Sequence, residues 1–249
     1  MSGHSKWATT KHQKAAKDKA RGKLFAKLIR QVEVAAREGG GDLTANATLR
    51  TMFQKARDAS VPMDTLERAV KRGTGELEGV RYEAVNYEGY APEGVAVLVE
   101  CLTDNRNRTG AEVRAIFSRN GGSMAEPGAV SWQFDRKGVI TVPKSVAEDE
   151  LMTVGLDAGA EDIRDLDELW MLLCAPSDLQ GLRGALEEAG IAIDNAELQY
   201  VPSTTIEIGD ENGARKVLRL IELLEDHDDV QNVSSNFDIP DKVLEALEV

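Results

Sequence analysis

The hydrophobic pattern of this chain changes its period near residue 79, and this change limits the folds that the chain can adopt. Before residue 79, apolar residues recur three or four positions apart, as in Leu24, Leu28, Val32 and Ala35, which is the spacing of one helix face. After residue 79, segments such as RYEAVNYEGY and EGVAVLVECLTD are typical of strands. The sequence therefore predicts a helical N-terminal part joined to a body of mixed strands and helices.

Three helices are predicted in the N-terminal part. The first ends at the glycine run 39–41, and the third lies in SVPMDTLERAVKRG. In this third helix, Asp64 and Glu67 fit a capping-box pattern, and Gly73 fits a C-terminal stop. We expect a small helical domain over residues 1–78, which we call the head. The second helix is predicted from apolar residues at helical spacing, namely Leu49, Met52, Phe53 and Ala56.

The elements of residues 137–202 follow the order strand, helix, strand, strand, helix, strand, which is typical of a ferredoxin-like (βαββαβ) unit. We expect the flanking segments, 79–136 and 203–249, to form a second α/β domain into which this unit is inserted. The predicted fold class is α+β and multi-domain, with an N-terminal helical bundle followed by two α/β sandwich-type domains. Trp132 and Trp170 lie in strand patterns and are expected in the core.

Charge is distributed unevenly along the chain. The 249 residues carry a formal net charge of -13, yet residues 1–75 hold 16 Lys and Arg against seven Asp and Glu, whereas residues 76–249 hold 14 against 36. A basic end on an acidic protein is typical of a polyanion-binding part attached to an acidic body. The alternative is that the head docks on its own acidic body.

The first 30 residues contain nine Lys or Arg and a single acid, Asp18. Clustered cations pair with phosphates and release counterions, and Trp7 and His12 could stack on a base or a sugar edge. Trp7 could equally anchor the N-terminus on the helical core. We interpret this segment as nucleic-acid-binding, with contacts from Lys6, Trp7, Lys11, His12, Lys14, Lys17, Lys19, Arg21, Lys23, Lys27 and Arg30.

Signs of catalysis are scarce in the sequence. The chain has three histidines, His4, His12 and His227, and no G-x-S-x-G motif. The run EDHDDV around His227 is interpreted as the polar end of a helix, because a hard-cation site needs several converging oxygens. Cys101 and Cys174 lie in apolar stretches and are expected as buried thiols. We therefore predict a protein that is not an enzyme and that uses no cofactor and no metal.

Several segments closely resemble the YebC/PmpR family, and together they span essentially the whole chain. They are MSGHSKWATTKHQKAAKDKARGKLFAKLIRQVEVAAREGG, SVPMDTLERAVKRGTG, YEGYAPEGVAVLVECLTDNRNRT and VSWQFDRKGVI. The resemblance implies three domains, a helical head and two α/β domains, with a ferredoxin-like domain inserted in the other. It also implies that Gly3, His4 and Ser5, together with Lys6, Trp7 and the basic residues after them, contact nucleic acid.

The resemblance implies one of two functions. Family members are described as DNA-binding transcriptional regulators of the cytoplasm, and the family has a mitochondrial relative, the translational activator of cytochrome oxidase subunit I. A part of the family instead resembles ribosome-associated translation factors that help elongation through proline runs. We therefore expect a cytoplasmic, non-enzymatic regulator of gene expression that binds duplex DNA or, alternatively, ribosomal or transfer RNA on the ribosome. No apolar run is long enough to span a membrane, so we expect no membrane partner. We also expect no small-molecule substrate.

Overall fold

The computed structural model describes residues 18–166 and 168–247, and side chains from residue 22 onward. Within these residues the protein is a mixed α/β structure, as the sequence predicts. It contains eight α-helices, two four-stranded antiparallel sheets and one short parallel strand pair. None of the described helices combines the length and the apolar character that crossing a membrane requires.

Three helices form the described part of the head. They are α1 (Asp18–Gly39), α2 (Ala47–Asp58) and α3 (Met63–Thr74). Each helix presents an apolar stripe to the other two, and this burial holds the bundle together. The core of the bundle includes Leu28, Val32, Leu49, Phe53, Ala56, Leu66 and Ala69.

Asn46 joins the first two helices. Its Oδ1 accepts the Leu49 N–H at 3.0 Å and so caps the N-terminus of α2. Its Nδ2 donates to Ala35 O and to Gly40 O, each at 2.8 Å, at the C-terminal end of α1. A single buried side chain thus satisfies backbone groups at two helix ends, and the turn between α1 and α2 is fixed.

Both predicted ends of α3 are wrong. Pro62 occupies the N-cap position, and none of the described side chains caps the helix. Asp64 therefore already lies inside the first turn and cannot form the capping box with Glu67. Gly73 lies inside the helix, where an added Cβ would stand 2.4 Å from the carbonyl oxygen of Glu33. Gly73 therefore permits the close contact between α3 and α1, and the helix stops at Gly75, which has a φ of 83°.

The first sheet combines strands from distant parts of the chain. Its strand order is β3-β1-β2-β9, and helices α4 (Arg106–Arg119) and α7 (Glu211–Glu225) pack on one face. The central strand β2 is buried along nearly its whole length, because its other face packs against Val130 and Phe134. The strands are β1 (Glu83–Tyr90), β2 (Ala96–Thr103), β3 (Ser123–Ala125) and β9 (Val230–Ser235).

The second sheet has the order β5-β6-β4-β7, with antiparallel neighbours. Strand β6 lies between β4 and β5, so the βαβ connection is split, as in a ferredoxin-like arrangement. Two helices, α5 (Glu148–Asp157) and α6 (Leu179–Glu188), contribute to the core. The strands are β4 (Phe134–Pro143), β5 (Ala160–Asp165), β6 (Leu169–Cys174) and β7 (Asn195–Pro202).

The remaining elements close the first sheet's core. Residues 203–209 contribute only the two-residue strand β8 (Ile206–Glu207), which pairs in parallel with β10 (Phe237–Asp238). Helix α8 (Asp241–Leu247) follows. Segments on both sides of residues 134–202 thus build one core. The division into independently folding domains over residues 1–78, 79–136 with 203–249, and 137–202 stays a prediction.

Trp132 does not lie in the strand that its sequence pattern predicts. Residues Ser131–Gln133 form a 3₁₀ turn, and β4 begins only at Phe134. The carboxylate of Glu88 accepts the N–H groups of Val130 and Ser131, so these donors are not available to a strand ladder. Trp132 is consequently 74% exposed and does not lie in the core, whereas Trp170 is buried as predicted.

Candidate nucleic-acid interface

The sequence prediction names fourteen residues as nucleic-acid contacts, and the structure describes the side chains of three of them. Lys19 and Arg21 lie near the beginning of α1, where only the helix itself is described. Contacts are described for Lys23, Lys27 and Arg30. The other nine lie outside the described residues, namely Gly3, His4, Ser5, Lys6, Trp7, Lys11, His12, Lys14 and Lys17.

Lys23 and Lys27 both contact the loop of residues 225–229, which connects α7 to β9 and which we call the acidic loop. The Lys23 Nζ lies 2.7 Å from Asp226 Oδ1 and 3.9 Å from Asp228 Oδ1. The hydrogen bond to Asp226 raises the pKa of Lys23, so the ammonium stays charged. The Lys27 Nζ donates to the carbonyl oxygen of Glu225 at 2.6 Å.

Arg30 completes this face of α1 and reaches the same acidic loop. Its Nη1 donates to Asp228 O at 2.9 Å and to Asp229 Oδ1 at 3.0 Å. Its guanidinium carbon also lies 5.1 Å from the centre of the Tyr82 ring, within the range of a cation–π contact. Lys23, Lys27 and Arg30 are spaced four and three positions apart on α1, and all three therefore bind the acidic loop of the body.

Asp229 is the most connected member of the acidic loop. Besides Arg30, it accepts hydrogen bonds from Thr109 Oγ1 at 2.7 Å and from the Arg108 guanidinium. Burial raises its pKa, but these hydrogen bonds and the charges of Arg108 and Arg30 outweigh burial and hold the pKa below its usual range. Asp229 thus stays a carboxylate and ties the head to α4.

An open polar cleft of about 520 Å³ lies where the head meets the acidic loop. Its wall includes a triad of possible metal ligands, Glu112, His227 and Asp229, whose donor atoms lie within 4.8 Å of one another. The His227 Nε2 lies 2.9 Å from Glu112 Oε2, and its Nδ1 accepts the Asp229 N–H at 3.1 Å. Because both ring nitrogens and the Asp229 carboxylate already have partners, this triad holds the cleft wall together.

A second contact joins the head to the second sheet. Lys55 on α2 forms an ion pair with Glu197 on β7, which is 7% exposed. Nearby, Gln180 Nε2 donates to Thr51 Oγ1 at 3.0 Å. Arg183 Nη1 lies 3.0 Å from the carboxylate of Asp58. The head is therefore held at two places, by the acidic loop and by α6 with β7.

Sequence reasoning considered docking of the head on the body but did not identify the partner. The available signal was the run EDHDD at residues 225–229, which matches the charge of Lys23, Lys27 and Arg30. The positions of Lys55 and Glu197 carry no such signal, because their 142-residue separation is closed only by the fold. Cations that stay exposed on the described part of the head and on its connection to the body are Arg50, Arg57, Arg68, Lys71 and Arg81.

Comparison with known proteins gives consistent matches along the chain. A family model described as the TACO1/YebC second and third domain matches residues 82–237, and a model of the TACO1/YebC protein N-terminal domain matches residues 5–76. A protein of Beutenbergia cavernae described as a "Probable transcriptional regulatory protein" is 59% identical over 251 residues, which cover 100% of this chain and 99% of the relative.

Further similarities extend to another relative and to a solved structure. A protein of Thermobifida fusca with the same description is 58% identical over 99% of this chain and 100% of its own length. The crystal structure of a conserved hypothetical protein from Aquifex aeolicus has a TM-score of 0.84 at 46% identity, covering 91% of this chain and 94% of that one. The architecture is therefore shared with a solved structure over nearly the whole chain.

Proposed function

This chain belongs to the TACO1/YebC family, and on that premise we propose that it is a non-enzymatic, cytoplasmic regulator of gene expression that binds a nucleic-acid backbone through its basic N-terminal segment. Duplex DNA is the first candidate ligand, since the relatives compared above are described as transcriptional regulatory proteins. The observation that carries the proposal is the concentration of nine cations and one acid in 30 residues of a chain with a net charge of -13.

The docking contacts divide the basic segment into two parts. Lys23, Lys27 and Arg30 already bind the acidic loop, so a phosphate could recruit them only by displacing that loop. The proposal therefore assigns the main phosphate contacts to the cations that precede them, and the docked residues hold α1 on the body. The preceding cations are Lys6, Lys11, Lys14, Lys17, Lys19 and Arg21.

The acidic body supports this division of roles. Residues 76–249 hold 14 Lys and Arg against 36 Asp and Glu, so their field repels a polyanion over a screening length of about 8 Å in physiological salt. This repulsion disfavours nonspecific phosphate contacts with the body and directs the phosphate backbone to the basic end. Burial also raises the pKa of Cys101 to about 12 and that of Cys174 to about 11, so both thiols stay protonated and are unsuited to act as nucleophiles.

The test compares two variants that lose the same number of charges. One changes Lys11, Lys14, Lys17 and Lys19 to Gln, and its matched control changes Arg57, Arg68, Lys71 and Arg81 to Gln. Fluorescence anisotropy with a 20-base-pair duplex and co-sedimentation with ribosomes, both over a salt series, report the affinity of each protein. The first variant should bind more weakly, and the magnitude of its slope of log K against log salt should fall by about 3 to 4, because each lost phosphate contact contributes about 0.9.

The outcomes separate the two ligand classes. Duplex binding without ribosome association supports the transcriptional role. Ribosome binding that persists at physiological salt, with only weak and salt-sensitive duplex binding, supports the alternative role in translation. Equal losses in the variant and in its control would contradict the assignment of phosphate contacts to the N-terminal segment.

A further inference from the structure

Trp132 exposes its ring to solvent, although the apolar residues two positions before and after it in the chain are buried in the core. The side chain is 74% exposed, whereas Val130 and Phe134 are buried. The indole Nε1 donates to Ala129 O at 3.1 Å. The polar edge of the ring is thus already bonded within the loop, and what the ring offers to a partner is its flat π face.

The loop that carries Trp132 is held from inside by a buried carboxylate. Glu88 on β1 is 7% exposed and accepts backbone N–H groups of Gly128 at 2.7 Å, Val130 at 2.7 Å and Ser131 at 2.9 Å. Burial raises the pKa of Glu88, but these three hydrogen bonds outweigh it and lower the pKa. The loop conformation therefore does not depend on a ligand.

The residue that follows Trp132 is fixed as well. The carbonyl oxygen of Gln133 accepts both the Ser203 N–H at 2.9 Å and the Ser203 hydroxyl at 2.8 Å. The Gln133 Oε1 accepts a hydrogen bond from Asn236 Nδ2 at 3.1 Å. Trp132 therefore stands between two anchored backbone positions, and little additional ordering is needed when a partner binds.

We propose that Trp132 is a stacking platform for an unpaired nucleobase of the nucleic acid that this protein binds. A rigid, exposed indole face with its N–H already bonded suits a planar partner of any base identity. Ser131 and Gln133, which flank it, are polar and half-buried, so the exposed indole is not continued by its chain neighbours into the apolar patch that marks a protein–protein interface. The inference rests on the proposed nucleic-acid function but concerns a site on the body, separate from the basic segment.

The experiment measures binding of the full-length chain, Trp132→Ala and Trp132→Phe to three fluorescent probes. These are a 12-nucleotide single-stranded DNA, the same strand with abasic sites, and a 20-base-pair duplex. Base stacking on an aromatic side chain contributes about 1–3 kcal/mol, so Trp132→Ala should bind the intact single strand about 5- to 150-fold more weakly. Trp132→Phe should retain most of the affinity, and duplex binding and the salt slope should not change.

The outcomes distinguish this site from the proposed function. If Trp132→Ala binds the single strand as tightly as the wild type, while the N-terminal Gln variant loses binding, the stacking site is refuted and the proposed function stands. If Trp132→Ala loses affinity equally for the abasic strand, the contact is not stacking and the inference fails. If the wild type binds none of the three probes, the stacking inference is refuted, and ribosome co-sedimentation then decides the proposed function. An unchanged thermal midpoint verifies that the exposed substitution leaves the fold intact.

Discussion

The ion pair between Lys55 and Glu197 yields a prediction whose sign depends on pH. Glu197 is buried against the head, and burial alone raises its pKa. The charge of Lys55 and hydrogen bonds from Lys55, Gln199 and Asn195 outweigh burial and lower the pKa from 4.5 to about 2. The folded state therefore holds this carboxylate in its charged form more strongly than the unfolded state does.

The size of this effect follows from linkage. A pKa that is lower in the folded protein contributes stability that is complete above the unfolded value of 4.5 and is lost as the pH falls toward about 2. The shift corresponds to about 3 kcal/mol, since each pKa unit is worth about 1.4 kcal/mol. The wild type should therefore lose about 3 kcal/mol through this group on acidification.

Lys55→Gln should reverse this dependence. The substitution leaves Glu197 buried without its cation, which costs about 3–5 kcal/mol at neutral pH. The pKa of Glu197 should then rise, because burial is no longer opposed by the Lys55 charge. Part of the lost stability should return as the pH falls through this raised pKa. Urea unfolding followed by circular dichroism at pH 7, 6, 5, 4 and 3 measures both effects, together with the wild-type loss that begins near pH 4.5.

Lys71→Gln is the matched control, because it removes a solvent-exposed lysine from the same head. It should change the free energy of unfolding by less than about 0.5 kcal/mol at every pH. A Lys55→Met, Glu197→Leu double variant should recover most of the lost stability, since apolar residues often replace a buried pair without loss. If Lys55→Gln unfolds at the wild-type midpoint with the wild-type pH dependence, the reasoning about this pair is wrong.

Three further predictions concern the head and one concerns the body. Gly73→Ala should destabilise the head by about 1–3 kcal/mol, because the new Cβ would stand 2.4 Å from Glu33 O; a wild-type urea midpoint would contradict this. Asn46→Ala should cost about 2 kcal/mol in the same assay through the lost helix cap and orphaned carbonyls, and a loss below 0.5 kcal/mol would count against the role of Asn46. Residues 137–202 should fold alone, whereas deletion of residues 203–249 should unfold the first sheet. If the truncated chain resists limited proteolysis as well as the full-length chain does, residues 137–202 are not an insertion in a domain built from both flanking segments. The last prediction changes the docked cations Lys23, Lys27 and Arg30 to Gln. Loss of their contacts with the acidic loop should raise the radius of gyration measured by X-ray scattering, and an unchanged radius would contradict the role of these contacts.

Local patterns determine much of this architecture, and the sequence predicts those parts well. The helical stripe from Leu28 to Ala35 and the βαββαβ order are properties of neighbouring residues, so periodicity identifies them. The C-terminal end of α3 is mispredicted because Gly73 and Gly75 look alike in sequence. Only the packing of α3 on Glu33 decides that Gly73 is a contact residue and Gly75 the stop.

The contacts of the candidate site are less accessible to sequence reasoning. Lys23 meets Asp226 across 203 positions, and charge composition suggests such a pair without selecting its members. Trp132 lies in a pattern that resembles a strand, and its exposure follows from the distant carboxylate of Glu88, which takes the N–H groups that a strand would use. Long-range polar contacts of this kind leave no periodic trace, so the structure is needed to find them.

Photo-crosslinking of bound nucleic acid, followed by mass spectrometry of the crosslinked peptides, tests the central claim most directly. The full-length chain would be crosslinked separately to a duplex and to ribosomes at physiological salt. The account predicts that crosslinks concentrate in residues 1–22, with an additional site at Trp132 when the ligand has unpaired bases. Crosslinks that fall instead on the acidic body, with none in residues 1–22, would contradict it.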